Sequence, residues 1–576
     1  MKKRLLSFVL AILMLSTLFL VSCSDTRTPE EIMADIAKNS KDVALKFSVY
    51  IPTDADTDSP EFKERLAAVQ EAINAKLRQD CTEIEIIAIK DSEYDAKVSE
   101  KMAAVKADLT DSSGNIVATQ KPSYLAPTKI EQNVAEKVIG SSGKADDFTI
   151  QLKYPDIQKN QVDIILIRSE EDYIKYYSNG QLSSWKNDLA ESGKYYRINK
   201  IVKQDVLNAL KVKNGDSIDI YGIPNNHLYT DANYKYMMID KSVADQVADF
   251  DIKNLTDDKG AVKYDALETF MESAKALNGV VPFVATADDA PVTYWGNNGG
   301  FSVIGSNGAK PSAIFDDASY VSFMKLLKKY GSTAGESEVA VSYFTGTKAD
   351  AAAKENDYYM IQVGAPEITG EEIFSSVFAV TDYSANYSRA KEIVFTLQSD
   401  EEIRTLLQYG IKGEDYEIED GVLEMMKNNS GDYAYKMNPL YTGNGYITYA
   451  GEGVPMSYWE EVKTVNYEAK TNAYIGMENF FNKYADKATV LTNVSVLNTL
   501  NNTVKDQIAN MTAEEFEAFI TEWKNASTEN ALVTSIKSAD AYKTSLSKLN
   551  DLYTKFAEEN AAKGKVETST AAASVE

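Results

Sequence analysis

Between Val43 and Pro224 the apolar residues switch repeatedly between two periods, and this switching restricts the possible folds more than any other feature. Val43, Leu45, Phe47, Val49 and Ile51 recur at every second position, the period of a half-buried strand. Ser59-Pro60 follows, with Pro in a first-turn position and Glu61 near the positive helix end. Phe62, Leu66, Val69, Ile73 and Leu77 then fall three or four apart, which puts them on one helical face. Thr82 to Ile89 returns to a strand, and Tyr94, Val98, Met102 and Val105 to a helix. Val162 to Ile167 is a near-continuous apolar run, as in a strand covered on both faces, and Ile218 to Pro224 predicts a fourth strand. Strands separated by helices pair in parallel through crossovers, so this stretch predicts an α/β domain with a largely parallel sheet. Residues 110–160 have no clear period and read as an insertion.

At 576 residues the chain exceeds the usual size of one domain, and at least two lobes are expected. After Asn226 the pattern changes. Tyr234 to Asp240 predicts a strand, and Tyr264 to Leu277 a helix with Leu267, Phe270, Met271, Ala274 and Leu277 on one side. Beyond Glu468 the chain reads as helical through Phe516, Phe519, Trp523, Leu549, Leu552 and Phe556, ending in a low-complexity tail. A chain that begins one α/β lobe, leaves it, returns and ends in helices predicts two lobes joined by several crossings. Ligand is expected in the cleft between lobes, where strand carboxyl ends converge. The expected divisions are 42–224 for the first lobe, 225–377 for the second, 378–465 for the return, 466–560 for the helical part and 561–576 for the tail. Crossings are expected near Pro224, near Phe378 to Thr381, and around residues 440–470.

The N-terminus bears on compartment. Lys2, Lys3 and Arg4 precede an apolar stretch from Leu5 to Val21, the pattern of a signal peptide. Leu20-Val21-Ser22-Cys23 resembles the lipobox of bacterial lipoproteins, which implies cleavage before Cys23 and a diacylglycerol on its sulfur. Residues 1–22 are then a removed leader, 23–41 a tether, and the body sits on the extracellular face of the cell membrane. An uncleaved anchor is the other reading, although roughly 17 apolar residues is the lower limit for a span. Cys81 is the only other thiol, so a chain lipidated at Cys23 has no internal disulfide and is held by its own core.

With 60 Lys and Arg against 86 Asp and Glu, the net charge of −26 argues against nucleic acid as a partner. A single histidine, His227, excludes His-rich metal sites and leaves a nucleophile-histidine mechanism one possible base. Asp54-Ala55-Asp56-Thr57-Asp58 opens like a calcium loop, but Ser59 and Arg65 stand where that loop needs Gly and Glu; it reads as a strand-to-helix loop with capping acids. Gly140-Ser141-Ser142-Gly143-Lys144 lacks phosphate-loop spacing and reads as a turn. No metal or cofactor is predicted.

Several segments, in their order along the chain, resemble one family. Asp163-Ile164-Ile165-Leu166 leads to Asn179-Gly180-Gln181-Leu182-Ser183-Ser184-Trp185. Tyr221-Gly222-Ile223-Pro224 follows, and Ser388 to Thr405, expected as one helix, leads into Leu407-Gln408-Tyr409-Gly410-Ile411-Lys412-Gly413-Glu414-Asp415-Tyr416. Together with the lipobox, they resemble the extracellular solute-binding lipoproteins of bacterial ABC importers, in particular the carbohydrate-type sugar-binding lipoproteins of Gram-positive bacteria. The matches cover most of the body; 110–160 matches nothing. The resemblance implies a two-lobed type II periplasmic-binding-protein fold with hinge crossings and a helical C-terminal region. It implies a monomer that closes on a solute and presents it to ABC permease subunits without covalent chemistry.

The 35 Tyr, 20 Phe and 4 Trp point to a sugar, since pyranoses offer apolar faces for stacking and hydroxyl rims for Asp, Glu, Asn or Gln. Three segments supply candidates: Tyr294, Trp295, Asn297 and Asn298 in a polar loop; Trp459 and Glu460; and Tyr221, Asn225 and Asn226 near the first crossing. Trp185 and Trp523 read as core, and His227 as a loop residue without a special role. Two other classes stay open. One is a receptor for peptide or another solute; the other is a surface glycoside hydrolase, which needs only two suitably spaced carboxylates.

Overall fold

The computed structural model describes residues 45–292, 313–480 and 507–565, apart from 81, 109–161, 215–216, 334–336, 385–386, 429–430, 473–474, 478–479, 526 and 539, and adds Thr492 and Ser495. Cys23 with the leader and tether, the 110–160 stretch with Gly140 to Lys144, and Tyr294, Trp295, Asn297 and Asn298 lie outside the described residues. The chain divides into two compact units, Met1–His227 with Glu371–Val462, and Leu228–Gly370 with Lys463–Glu576. It therefore passes from one to the other after His227, after Gly370 and after Val462.

In the first unit, β1 (Leu45–Thr53) leads through α1 (Pro60–Leu77) to β2 (Thr82–Lys90), and α2 (Tyr94–Asp108) follows. β3 (Ile164–Ile167), α3 (Glu170–Ser178) and β4 (Ile223–Pro224) precede the first passage. After the second come β5 (Val377–Val380), α4 (Tyr387–Ser399), α5 (Glu401–Tyr409), the hairpin β6 (Tyr416–Glu419) and β7 (Val422–Met425), and α6 (Tyr458–Glu468). The third passage falls inside α6. The sheet order is β2-β1-β3-β5-β4. β1 pairs in parallel with β2 from Leu45↔Thr82 to Thr53↔Lys90, and with β3 at Val49↔Ile164. β5 runs antiparallel to both neighbours. The second passage, after Gly370, lies a few residues ahead of Phe378 to Thr381, where Val377–Val380 is a fully buried strand paired on both edges.

The apolar stripe of α1 does what its spacing predicts, burying Phe62, Val69 and Ile73. Ser59 caps this helix by accepting from Phe62 N at 3.4 Å, so the cap is the serine and not the preceding acids. β2 is an edge strand, and α1 covers it with side chains. Asn74 donates to Ile84 O at 2.9 Å and accepts from Ile84 N at 2.7 Å, while Gln70 accepts from Ile86 N at 2.8 Å. Those bonds occupy backbone groups that would otherwise template another strand. The four residues of β3 are all buried, as a continuous apolar run requires.

Two expectations are corrected. Ile218 to Pro224 is not one strand: Ser217–Asp219 pairs with Val212–Asn214, and only Ile223–Pro224 joins the sheet. Between them Gly222 passes so close to β5 that a Cβ there would lie 2.5 Å from Val377 Cγ1 and 3.1 Å from Phe378 O. The helix expected over Ser388 to Thr405 is two helices, because Asp400 leaves helical geometry and accepts from Ile403 N at 2.9 Å to cap α5.

The second unit has its own four-stranded sheet, ordered Tyr358–Gly364, Tyr234–Asp240, Glu338–Gly346, Val280–Val284, with only the last pair parallel. Tyr264–Lys275 and Ala318–Tyr330 pack on it, and Ala513–Lys524, Ala531–Lys537 and Asp540–Lys565 supply the helical C-terminal region. Phe315 stands edge-on to Phe519 (5.0 Å) and Trp523 (5.2 Å) in this core. Trp523 is core as expected, with its indole N–H donated to Asp316 at 2.8 Å. Trp185 is likewise buried, in the first unit. Among the described residues no helix is long and apolar enough to cross a membrane.

Candidate binding surface at the carboxyl end of the first sheet

Because β1, β2 and β3 are parallel, their carboxyl ends share one edge of the sheet, the edge at which open α/β sheets bind ligands. β1 exits into Asp54 to Asp58, where Thr53 Oγ1 accepts from Ala55 N at 3.1 Å. β2 exits at Lys90, whose ammonium reaches Asp56 at 3.1 Å and Asp58 at 3.3 Å. That hydrogen bond holds the Asp56 carboxyl below its ordinary pKa. β3 exits at Arg168, which makes an ion pair with Asp91 and another with Asp95 at 2.6 Å. The Arg168 guanidinium lies over Tyr94 (5.3 Å) and Tyr441 (5.6 Å). Tyr94 is itself fixed, donating to Tyr50 O and accepting from Leu166 N, both at 2.9 Å, so one phenol ties β1 to β3 beneath the guanidinium. Asn438 donates to Asp54 at 3.4 Å.

Asp54, Asp56, Asp58 and Asp95 are exposed here, while Asp91, Arg168 and Tyr441 are half-buried. Carboxylate oxygens accept from hydroxyls and repel anions, so this edge suits a neutral, hydroxyl-rich molecule better than a phosphate or a free acid. Among the described residues no group of three or more His, Cys, Asp or Glu is arranged to hold a metal ion.

The structure brings several sequence candidates together, but inside the first unit. Asn225 is wholly buried: its amide donates to Ser376 Oγ (2.7 Å) and Leu440 O (2.9 Å), and its oxygen accepts from Gln398 at 2.7 Å. Asn226 is buried and donates to Ile201 O at 3.1 Å. Trp459 is buried, its indole N–H given to Thr448 O at 2.8 Å and its ring set against Tyr446 and Tyr458, each at 5.3 Å. These three are corrected from ligand contacts to structural residues, since their polar atoms are committed to the protein. Glu460 is exposed on α6. Tyr221 is half-buried, stacked on Tyr177 at 5.4 Å, with its backbone N–H donated to Tyr173 Oη at 2.9 Å. His227 is buried.

Nearby, Arg404 of α5 is fully buried; it donates to Gln408 and, at 3.0 Å, to Pro439 O, and no carboxylate among the described residues pairs with it. Burial pushes its guanidinium pKa down to about 9. Sequence reading missed Arg168, Asp91, Asp95 and Tyr441. Only Arg168 left a signal, as a charged residue directly after the near-continuous apolar run 162–167, at a strand's carboxyl end.

No family model matches the chain, and no curated protein matches it. Among solved structures, it is similar to an N-glycan transport solute-binding protein from Streptococcus pneumoniae, at 17% identity over 89% of this chain and 99% of that one, with a TM-score of 0.45. An extracellular solute-binding protein from Bifidobacterium longum subsp. infantis is 12% identical over 90% and 99%, with a TM-score of 0.39. A family 1 extracellular solute-binding protein from Alicyclobacillus acidocaldarius is 10% identical over 88% and 98%, with a TM-score of 0.33.

Proposed function

We propose that this chain is the solute receptor of an ABC importer: anchored outside the cell by a lipid on Cys23, it captures an oligosaccharide and passes it unaltered to permease subunits. The observation that carries the reading is the organisation of the chain itself, two α/β units with three passages between them, one of them bearing an acceptor-rich strand-end edge. The lipobox-like Leu20 to Cys23 supports the location. Capture needs no nucleophile or general base, which suits a chain with one histidine that is buried.

Thermal unfolding of the full chain with neutral oligosaccharides and with peptides, alongside a reducing-end assay, tests this. A ligand at a hundredfold excess over its Kd stabilises by about 2.7 kcal/mol, so a cognate sugar raises Tm while no new reducing ends appear. A rise with peptides alone removes the sugar, and new reducing ends replace the receptor by a hydrolase. In this reading Tyr294, Trp295, Asn297 and Asn298 remain sugar contacts. Trp295→Ala then weakens binding in calorimetry while the Tm of the free protein stays put; an unchanged Kd takes Trp295 out of the site.

A further inference from the structure

Residues 438–448 belong to no sheet. They form two short 3₁₀ turns, Pro439–Tyr441 and Gly445–Ile447, and are bonded to other parts of the first unit through backbone and side-chain groups. Leu440 O accepts from Asn225, at 2.9 Å, and from Ser376 Oγ. Gly445 N donates to Asn226 O at 3.0 Å, and the Tyr446 hydroxyl to His227 O at 3.1 Å. Thr448 O accepts the Trp459 indole N–H.

The positions of those partners are the point. Asn225, Asn226 and His227 are the last residues before the first passage between units, Ser376 follows shortly after the second, and Trp459 stands just before the third. One segment is therefore bonded to the chain at the root of every passage. Asn225 also joins two roots directly, since its backbone N–H donates to Ser376 O at 2.9 Å and its amide to Ser376 Oγ. The fit is close: a Cβ on Gly445 would lie 2.7 Å from Trp459 Cη2 and 2.9 Å from Asn226 O. Buried polar groups of this kind are satisfied together or lost together, and a set of mutually satisfied bonds opens as one cooperative unit.

We propose that 438–448 is a strap that couples the roots of the three passages, so that all three loosen as a single unit. The proposal concerns the first unit alone and does not depend on what the protein captures. Native-state hydrogen exchange on the full chain without solute tests it, read at 223–227, 376–380 and 459–462. Tyr446→Phe removes one hydroxyl and its bond to His227 O. A bond of that kind is worth about a fivefold change in opening, and the strap spreads the change: all three segments exchange about fivefold faster, by a common factor, while α1 and β2 are unaffected. Trp459→Phe, which removes the bond to Thr448 O at the root of the third passage, accelerates the same three segments together. Acceleration confined to the segment beside each substitution, or none with either variant, overturns the coupling.

Discussion

Asp415→Ala destabilises the first unit by roughly 3–5 kcal/mol, the range for removing one partner of a buried ion pair. The Asp415 side chain has no exposed surface, and Arg65 grips it with Nε at 2.8 Å and Nη2 at 2.6 Å. It also accepts from Ile411 N at 2.7 Å, which closes the turn after α5. Gly410 makes that turn possible, at φ +87°, a conformation L side chains rarely adopt; a Cβ there would lie 2.2 Å from Asp415 Oδ2. Removing the carboxylate leaves the Ile411 N–H without its acceptor and Arg65 with only Glu414, whose side chain is 56% exposed. Glu414→Ala should cost no more than about 1 kcal/mol, because Glu414 is largely in solvent and Arg65 keeps Asp415. Arg65→Met in the Asp415→Ala background should recover part of the loss by removing the stranded cation. Urea unfolding followed by far-UV circular dichroism reads all three; equal losses for Asp415→Ala and Glu414→Ala would mean the buried contact carries no special weight.

The same turn shows what the sequence could and could not reveal. The spacing of Tyr409, Gly410, Gly413 and Tyr416 stood out from composition, and each has a local reason: Tyr409 donates to Tyr449 O at 2.7 Å, both glycines have positive φ, and Tyr416 is buried. What the spacing did not reveal was Arg65, some 350 positions earlier, as the partner of Asp415. Local periodicity placed β1, α1, β2 and β3 because each is an independent amphipathic or buried segment. It failed where partners decide. Ile218 to Pro224 is mostly apolar, yet its first residues are claimed by a short hairpin and its last two by β5. Asn225, Asn226 and Trp459 looked like sugar contacts because amides and an indole near loops usually face solvent; the 438–448 segment covers them, and nothing near them in sequence announces it. Arg168 was passed over for the opposite reason, since a lone cation after a strand gives no hint that two tyrosines and two aspartates converge on it.

Asp163→Ala should match Asp415→Ala in size by a different route. Asp163 is 1% exposed at the start of β3, and it accepts from Ser48 N at 2.9 Å, Ser48 Oγ at 3.1 Å and Ser384 Oγ at 2.5 Å. Its own backbone is engaged as well, with N donating to Ser48 Oγ at 3.0 Å and O accepting from Thr381 N at 2.9 Å. One residue thus joins β1, β3 and the turn after β5, three segments that local sequence does not bring together. Hydrogen bonds to a charged acceptor contribute about 1.5–3 kcal/mol each, and a donor left buried without one adds its desolvation cost. The expected loss is roughly 3–5 kcal/mol, short of the simple sum because the three bonds share one acceptor group. Asp163→Asn keeps the shape and one acceptor oxygen, and its amide can donate to a serine hydroxyl but not to Ser48 N, so it should lose less than half as much. If Asn proves as damaging as Ala, negative charge holds this junction; if both are mild, the sheet's apolar packing fixes the β1–β3 alignment without it.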